Sequence, residues 1–283
     1  MKKLPLAVYF LTLFSMSTSA IVLRHDVPKN KYAASWQDFP ALAQFYIDGA
    51  HGVLVEPTWI ITAAHTTFCT NPGSTILVGD KKAIVKQRFV HPGHTPGVSH
   101  DIGLLELESP ITHVQPAKMY VGNEEVGKVV TFIGAGGTGI GTEGQTVDNY
   151  ENKGVLRKAN NTVEGANGPL LEFIFHQGEK ALPLEGIGGG GDSGGPAFIK
   201  NGQDYIVLGV SSRGEIGSII GKYGNHEYYS RLSFFRDWIR KVIFGNKETR
   251  AAMALPKLKH LMPGLTEENL PDICADISIP SEQ

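Results

Sequence analysis

Gly191-Asp192-Ser193-Gly194-Gly195-Pro196 places a single serine and a single aspartate inside a run of glycines. Glycine lets the backbone turn tightly and brings its N–H groups close to a bound molecule. A serine in such a turn is a candidate nucleophile, with an oxyanion site formed by the surrounding backbone. Because a serine hydroxyl is a weak nucleophile at neutral pH, this interpretation requires a base and an orienting acid elsewhere in the chain.

Two other segments contain these groups. The sequence Thr-Ala-Ala-His at 62–65 follows an apolar run, and Asp101 opens the apolar run Ile-Gly-Leu-Leu. The imidazole of His65 can accept a proton near neutral pH and return it. A buried Asp101 carboxylate would fix the tautomer and orientation of that ring. The chain order His65, Asp101, Ser193 is one of three orders in which such triads occur.

With these segments in this order, the chain resembles the trypsin/chymotrypsin-like serine peptidases, and among them a cysteine-poor bacterial-type branch. The resemblance covers roughly residues 21–244. It implies an all-β fold of two antiparallel β-barrels with the active site in the cleft between them. It also implies a secreted serine endopeptidase that forms an acyl-enzyme, with the N–H groups of Gly191 and Ser193 as the oxyanion hole. The alternatives are an inactive protease-like binding protein and an esterase that uses the same triad.

Short β-like runs separated by turn residues are typical of an all-β chain. They lie at 42–47, 52–55, 74–78, 83–90, 102–107, 129–133, 170–175, 197–199, 205–210 and 226–232. One strong helical pattern follows, with Ser233 as the expected N-cap. Its predicted apolar face contains Phe234, Phe235, Trp238, Ile239, Val242 and Ile243. The expected organisation is a signal peptide (1–20), a first barrel (21–125), a second barrel with a C-terminal helix (126–246) and a C-terminal extension (247–283).

Composition and the first residues indicate an exported protein. Lys2-Lys3 precede an apolar stretch from Leu4 to Phe14 and then small residues up to Ala20, a pattern typical of a secretory signal peptide. We therefore expect a secreted or periplasmic protein. A net charge of −2 gives no argument for nucleic acid or an anionic membrane as partner. The expected partners are protein or peptide substrates, and the oligomeric state is left open.

The two cysteines, Cys69 and Cys274, either form a disulfide or remain separate thiols. A disulfide would hold the extension on the body, whereas the alternative is a partly disordered C-terminus. His91, His94 and His100 lie shortly before the candidate acid, but no thiolate or carboxylate set completes a metal site at a familiar spacing. We expect neither a metal nor a cofactor.

The resemblance assigns Asp192 a further role. In the family, this carboxylate pairs with a newly formed N-terminal ammonium, usually that of an Ile-Val sequence. Here Ile21-Val22 follows Ala20, so that removal of a signal peptide would itself create such an N-terminus. Our hypothesis is that export cleavage alone activates the enzyme.

Substrate preference is also interpreted through the resemblance. The base of the specificity pocket is expected six residues before the nucleophile, at Ile187, and one wall at Ser212-Arg213-Gly214. An apolar base argues against the usual pairing with a basic substrate side chain. Glu227 is either a second wall residue that restores basic specificity or a solvated loop residue.

Overall fold

The computed structural model describes residues 20–255 and 261–281. Nearly all of the expected signal peptide lies outside the described residues, as do 256–260 and 282–283. None of the helices within the described ranges is long and apolar enough to cross a membrane.

Strands far outnumber helical residues within the described ranges, which confirms the predicted all-β fold. The strands are β1 (Ile21–Leu23), β2 (Leu42–Tyr46), β3 (Gly49–Glu56), β4 (Trp59–Thr62), β5 (Thr75–Val78), β6 (Lys81–Val90), β7 (Gly103–Leu107), β8 (Lys118–Met119), β9 (Val129–Gly134), β10 (Thr138–Ile140), β11 (Gly144–Val147), β12 (Arg157–Thr162), β13 (Gly165–Asn167), β14 (Leu170–Ile174), β15 (Gly186–Ile187), β16 (Pro196–Asn201), β17 (Asp204–Gly214) and β18 (His226–Arg231). The α-helices are α1 (Asn149–Asn152), α2 (Leu232–Phe244), α3 (Lys247–Met253) and α4 (Leu270–Ile277). The 3-10 helices are Lys29–Tyr32, Trp36–Asp38, Ala64–Thr67 and Gly178–Lys180.

The first half of the chain forms a closed antiparallel barrel in the order β2-β3-β4-β7-β6-β5. Its interior is apolar, and Ile60 and Ile61 pair across the sheet with Leu105 and Leu104. The same register places Thr62 opposite Gly103, at the edge of the barrel. The segments that carry the candidate base and the candidate acid therefore leave the barrel side by side.

The second half forms a larger curled sheet in the order β12-β9-β16-β17-β18-β14-β13, with β8 beside β17. Three aromatic rings pack in its core, where the ring of Tyr229 lies 4.9 Å from Phe132 and 5.0 Å from Phe173. A second sheet has the order β11-β10-β1-β15, so the N-terminal strand pairs with strands from the second half. These pairings place β1 beside the loop that carries Ser193.

Each of the ten β-like runs corresponds to a strand, with ends that shift by up to a few residues. Several strands were not predicted, among them β10, β11 and β12. The sequence of β12, RKANNT, has little apolar content, yet its residues are buried alternately because β9 pairs along its whole length. Such strands are defined by their neighbours rather than by their own propensity.

The predicted C-terminal helix is present as α2, but two details were wrong. Phe234 was expected on the buried face and is 49% exposed. Ser233 was expected as the N-cap, but that position is Arg231. The Ser233 hydroxyl instead donates a hydrogen bond to Glu125 Oε1 at 2.5 Å, because a polar partner from another segment is within its reach.

The described part of the C-terminal extension packs on the first barrel. Helices α3 and α4 lie in it, and a disulfide joins Cys274 in α4 to Cys69. Backbone bridges connect Ala254 with Phe89 and Ser278 with Tyr46. The two cysteines therefore form a disulfide rather than remaining separate thiols. The described part of the extension packs on the body, as expected for a disulfide that holds it there.

Candidate active site

His65 and Asp101 form a close pair at the edge of the first barrel. His65 Nδ1 lies 2.7 Å from Asp101 Oδ2, and the backbone N–H of His65 donates to Asp101 Oδ1 at 2.9 Å. The 3-10 helix Ala64–Thr67 presents His65 immediately after β4, and Asp101 precedes β7. The carboxylate thus fixes both the ring and the backbone of the candidate base.

Asp101 is itself held from the second half of the chain. The Ser212 hydroxyl donates to Asp101 Oδ2 at 2.8 Å, and the Ser230 hydroxyl donates to the Asp101 carbonyl at 2.5 Å. Burial opposes ionisation of Asp101, but the charge and hydrogen bonds of His65 outweigh it and lower the Asp101 pKa to about 2. Burial also disfavours protonated His65, yet Asp101 holds the His65 pKa above its ordinary value. The pair is therefore arranged to stabilise an imidazolium.

Ser193 lies in a turn fixed on both sides by backbone hydrogen bonds. The His51 N–H donates to the Ser193 carbonyl at 2.8 Å, and the Gly194 N–H donates to the Ser211 carbonyl at 2.8 Å. Ser211 is followed in β17 by Ser212, the residue that contacts Asp101. Within residues 20–255 and 261–281, the Ser193 hydroxyl makes no hydrogen bond, to His65 or to any other group. Catalytic hydrogen bonds are often long without substrate and tighten when it binds.

The backbone before Ser193 requires glycine. Gly191 has a φ of +90°, and a Cβ atom there would lie 2.7 Å from the Asn149 Cβ. Its carbonyl accepts the Ala50 N–H at 2.8 Å, while the Gly190 N–H donates to Gln145 Oε1 at 2.7 Å. Contacts from two neighbouring segments therefore hold this loop in one conformation.

Asp192 is buried, and backbone N–H groups surround its carboxylate. Its carboxylate accepts the backbone N–H groups of Gly136 at 2.7 Å and Gly189 at 2.8 Å. The nearby backbone N–H of Ile21 also favours its ionised form. Burial raises the pKa of Asp192 to about 6, and these hydrogen bonds limit the rise. The structure thus brings together Asp192 and Ile21, which lie far apart in the sequence.

A pocket of about 170 Å³ opens beside Ser193. Of the five predicted pocket residues, Ile187, Arg213, Gly214 and Glu227 line it, together with Ser211 and Gly188 among others. Ser212 is not part of this lining and is instead the donor to Asp101 described above.

Glu227 lies on β18 and is 7% exposed, so it is not a solvated loop residue. Its carboxylate accepts the Gly188 N–H at 2.8 Å and the Ser211 hydroxyl at 3.1 Å. Burial raises its pKa to about 7, the Gly188 hydrogen bond opposes that rise, and nearby Asp192 adds to it. The pocket therefore contains a carboxylate and an apolar residue, Ile187.

The histidines before Asp101 pack beside the site. The rings of His91 and His100 stack with centroids 4.8 Å apart, and His94 Nδ1 lies 3.7 Å from Asp101 Oδ1. Among the described residues, no group of three or more histidine, cysteine, aspartate or glutamate side chains is arranged to hold a metal ion.

Sequence reasoning missed Gln145 and Ser211, which hydrogen-bond to the Ser193 loop and to Glu227, and Asn149, which lies against Gly191. Their partners are backbone atoms or side chains more than ten residues away. No local pattern signals such contacts, although the glycines of the loop did indicate a close approach of the backbone.

Comparison with known proteins identifies the family of the chain. The Trypsin family matches residues 29–239 of the chain. A protein named trypsin from Phaedon cochleariae is 32% identical over 212 residues, which cover 67% of this chain and 77% of that protein. The venom plasminogen activator TSV-PA of Trimeresurus stejnegeri is 29% identical, covering 70% and 78%. Tonin from Rattus norvegicus is 26% identical, covering 81% and 91%. The predicted bacterial-type branch stays a prediction, but the chain itself belongs to the trypsin family and is a serine endopeptidase.

Proposed function

We propose that Ser193 is the nucleophile, His65 the general base and Asp101 the acid that orients His65. The observation that carries this proposal is the 2.7 Å contact between His65 Nδ1 and Asp101 Oδ2. It engages Nδ1 and leaves Nε2, on the other edge of the ring, to accept the proton of Ser193. Both oxygens of Asp101 already accept hydrogen bonds, which keeps the imidazole in this tautomer.

In the proposed reaction, Ser193 Oγ attacks the carbonyl carbon of the scissile peptide bond while its proton passes to His65. The N–H groups of Gly191 and Ser193 then stabilise the negative oxygen of the tetrahedral intermediate. Within the described ranges, neither N–H donates to a protein acceptor, so both can serve this purpose. Donors fixed in advance of the reaction are a major source of catalysis. His65 next protonates the leaving amine, and water completes hydrolysis of the acyl-enzyme.

Hydrolysis of an unstructured protein substrate tests these roles. The mature protein should cleave it, and the Ser193→Ala variant should lose activity by about 10⁶-fold. Equal cleavage by both proteins would contradict the assignment of Ser193.

We also propose that cleavage after Ala20 activates the enzyme. Ile21 has a φ of +61°, a strained conformation for a β-branched residue. Cleavage would remove the preceding carbonyl and with it this strain. The new ammonium of Ile21 would then meet Asp192, whose ionised form the Ile21 backbone N–H already favours.

Mass spectrometry of the exported protein checks this step, because it should find Ile21 as the first residue. Two purified forms are compared, one beginning at Ile21 and one retaining Ala20. The form that begins at Ile21 should have the higher kcat, by at least about 10-fold. An active enzyme that begins elsewhere would contradict the activation proposal without affecting the triad.

The pocket favours substrates with a basic residue before the cleaved bond. A lysine or arginine side chain that enters it would meet the buried carboxylate of Glu227, and a cation beside a carboxylate stabilises its ionised form. Ile187 instead supplies an apolar surface for the methylene groups of that side chain.

Cleavage profiling on a mixed peptide library should find cuts mainly after arginine and lysine. The Glu227→Gln variant should lose that preference while it retains cleavage after apolar residues. Preferential cleavage after apolar residues by the unmodified enzyme would instead identify Ile187 as the determinant.

We propose that the enzyme acts outside the cytoplasm, secreted or periplasmic, after removal of residues 1–20. An extracellular location fits relatives that are named as venom proteases. We further propose a division near residue 125 into two barrels, followed by the extension 247–283. The strands of the closed barrel all lie between 42 and 107, which supports that division.

A further inference from the structure

The C-terminal extension contacts the turn that carries His65. We call residues 64–67, the 3-10 helix after β4, the histidine turn. The carbonyl groups of Thr66 and Thr67 in this turn each accept a hydrogen bond from a buried side chain, and both donors are held in place by the extension.

The first donor is Tyr46, which is 3% exposed. Its hydroxyl donates to the Thr66 carbonyl at 2.5 Å and accepts the Cys69 N–H at 3.1 Å. The backbone of Tyr46 forms a β-bridge with Ser278, and the next N–H, that of Ile47, donates to the Ile277 carbonyl at 2.9 Å. The end of α4 therefore fixes the segment that carries this tyrosine.

The second donor is Arg88, which is 2% exposed. Its Nη1 donates to the Thr67 carbonyl at 2.5 Å, and its Nε donates to the Leu255 carbonyl at 3.3 Å. The Leu255 N–H in turn donates to the Arg88 carbonyl at 3.0 Å. A buried guanidinium needs acceptors for its charge, and two of them here are the Thr67 carbonyl in the histidine turn and the Leu255 carbonyl in the extension.

The third connection is covalent. Cys69, four residues after His65, is joined to Cys274 in α4. The extension thus reaches the histidine turn through a tyrosine, an arginine and a disulfide, none of which lines the pocket beside Ser193.

We propose that the C-terminal extension is a positioning element for His65, acting through Tyr46, Arg88 and the Cys69–Cys274 disulfide. This inference rests on the proposed role of His65 as the general base. Loosening the extension should displace the imidazole relative to Asp101 and Ser193, and a displacement of about 1 Å can cost about 100-fold in rate. Because the pocket beside Ser193 lies in the other half of the molecule, the affinity for substrate should change little.

The test uses the mature full-length enzyme and two variants. Tyr46→Phe removes only the hydroxyl that holds Thr66, and Cys69→Ala/Cys274→Ala removes the covalent link between α4 and the residue that follows the histidine turn. The matched control is Tyr32→Phe, because Tyr32 is equally buried and donates to a backbone carbonyl, that of Glu185, at 3.1 Å. Thermal unfolding of each protein is measured beside kcat, KM and the pH profile of kcat/KM.

Both variants should lower kcat by about 10- to 100-fold with KM nearly unchanged. The acid limb of the pH profile should move to lower pH, because a displaced His65 loses part of the Asp101 interaction that raises its pKa. Tyr32→Phe should keep kcat and the pH profile of the unmodified enzyme.

An unchanged kcat in a folded Tyr46→Phe protein would overturn the inference, and so would an equal loss in the Tyr32→Phe control. If the cysteine variant does not fold, Tyr46→Phe decides the outcome. Failure of the proposed function gives a different result, because the unmodified enzyme would then cleave no faster than Ser193→Ala.

Discussion

Replacing Glu227 with glutamine should stabilise the protein at alkaline pH and have little effect at acid pH. The carboxyl group is buried in the pocket wall, and burial raises its pKa to about 7 from an ordinary value of 4.5. At 1.36 kcal/mol for each pH unit, this difference corresponds to about 3 kcal/mol. Glutamine can keep both contacts, since its carbonyl accepts the Gly188 N–H and its amide donates to the Ser211 oxygen.

The direction of the effect follows from proton linkage. A raised pKa means that the folded protein binds this proton more tightly than the unfolded chain does. The free energy of unfolding of the unmodified protein therefore falls as pH rises from 4.5 to about 7. Glutamine does not titrate, so this loss disappears in the variant. Asp192 titrates in both proteins, but its repulsion of ionised Glu227 is part of the raised pKa and is absent from the variant, which adds to the difference at high pH.

Urea unfolding between about pH 4 and pH 9 measures the effect, with Ser193→Ala in both proteins to prevent self-digestion. The variant should exceed its parent by about 3 kcal/mol above pH 8 and match it near pH 4. A stability difference that is the same at every pH would refute the reasoning, because it would show that the carboxyl group does not titrate with a raised pKa in the folded state.

Two further predictions concern the catalytic groups. The activity kcat/KM should rise with pH through a pKa above the ordinary 6.5, because Asp101 raises the pKa of His65. The Asp101→Asn variant should lower that pKa and reduce kcat by about 10⁴-fold. An unchanged pH profile in this variant would argue against the His65–Asp101 pair. Gly191→Ala should reduce kcat by about 10²- to 10³-fold, because a side chain at φ +90° would strike Asn149 and move an oxyanion donor. The control is Gly202→Ala, because that position also has a positive φ but an added Cβ would meet nothing within 4 Å. An equal loss of kcat in both variants would point to general backbone strain instead of a displaced oxyanion donor.

The parts of the site that could be predicted from sequence are those encoded in local segments. His65, Asp101 and Ser193 each lie in a short run whose residue types match the chemistry required. The register between β4 and β7 then brings the first two together, since Thr62 lies opposite Gly103. That pairing could be expected only from the resemblance, because no local pattern specifies which strands are neighbours.

The parts that could not be predicted depend on contacts between distant segments. The sequence did not decide whether Glu227 is a residue of the pocket wall or a solvated loop residue. Its burial follows from the pairing of β18 with β17 and from its contact with the Gly188 N–H. Gln145 supports the loop before Ser193 across 45 residues of sequence. The described part of the extension contains the short helices α3 and α4, and its position is fixed by the disulfide and by backbone bridges rather than by a strong pattern of its own.

The central claim is that His65, oriented by Asp101, activates Ser193. The most direct measurement is the labelling of the mature enzyme with a fluorophosphonate, followed by peptide mass spectrometry. The account predicts a single adduct on Ser193, formed faster as His65 loses its proton, and a large loss of labelling rate in His65→Ala. An adduct on another residue, or labelling of His65→Ala at the rate of the unmodified enzyme, would contradict it.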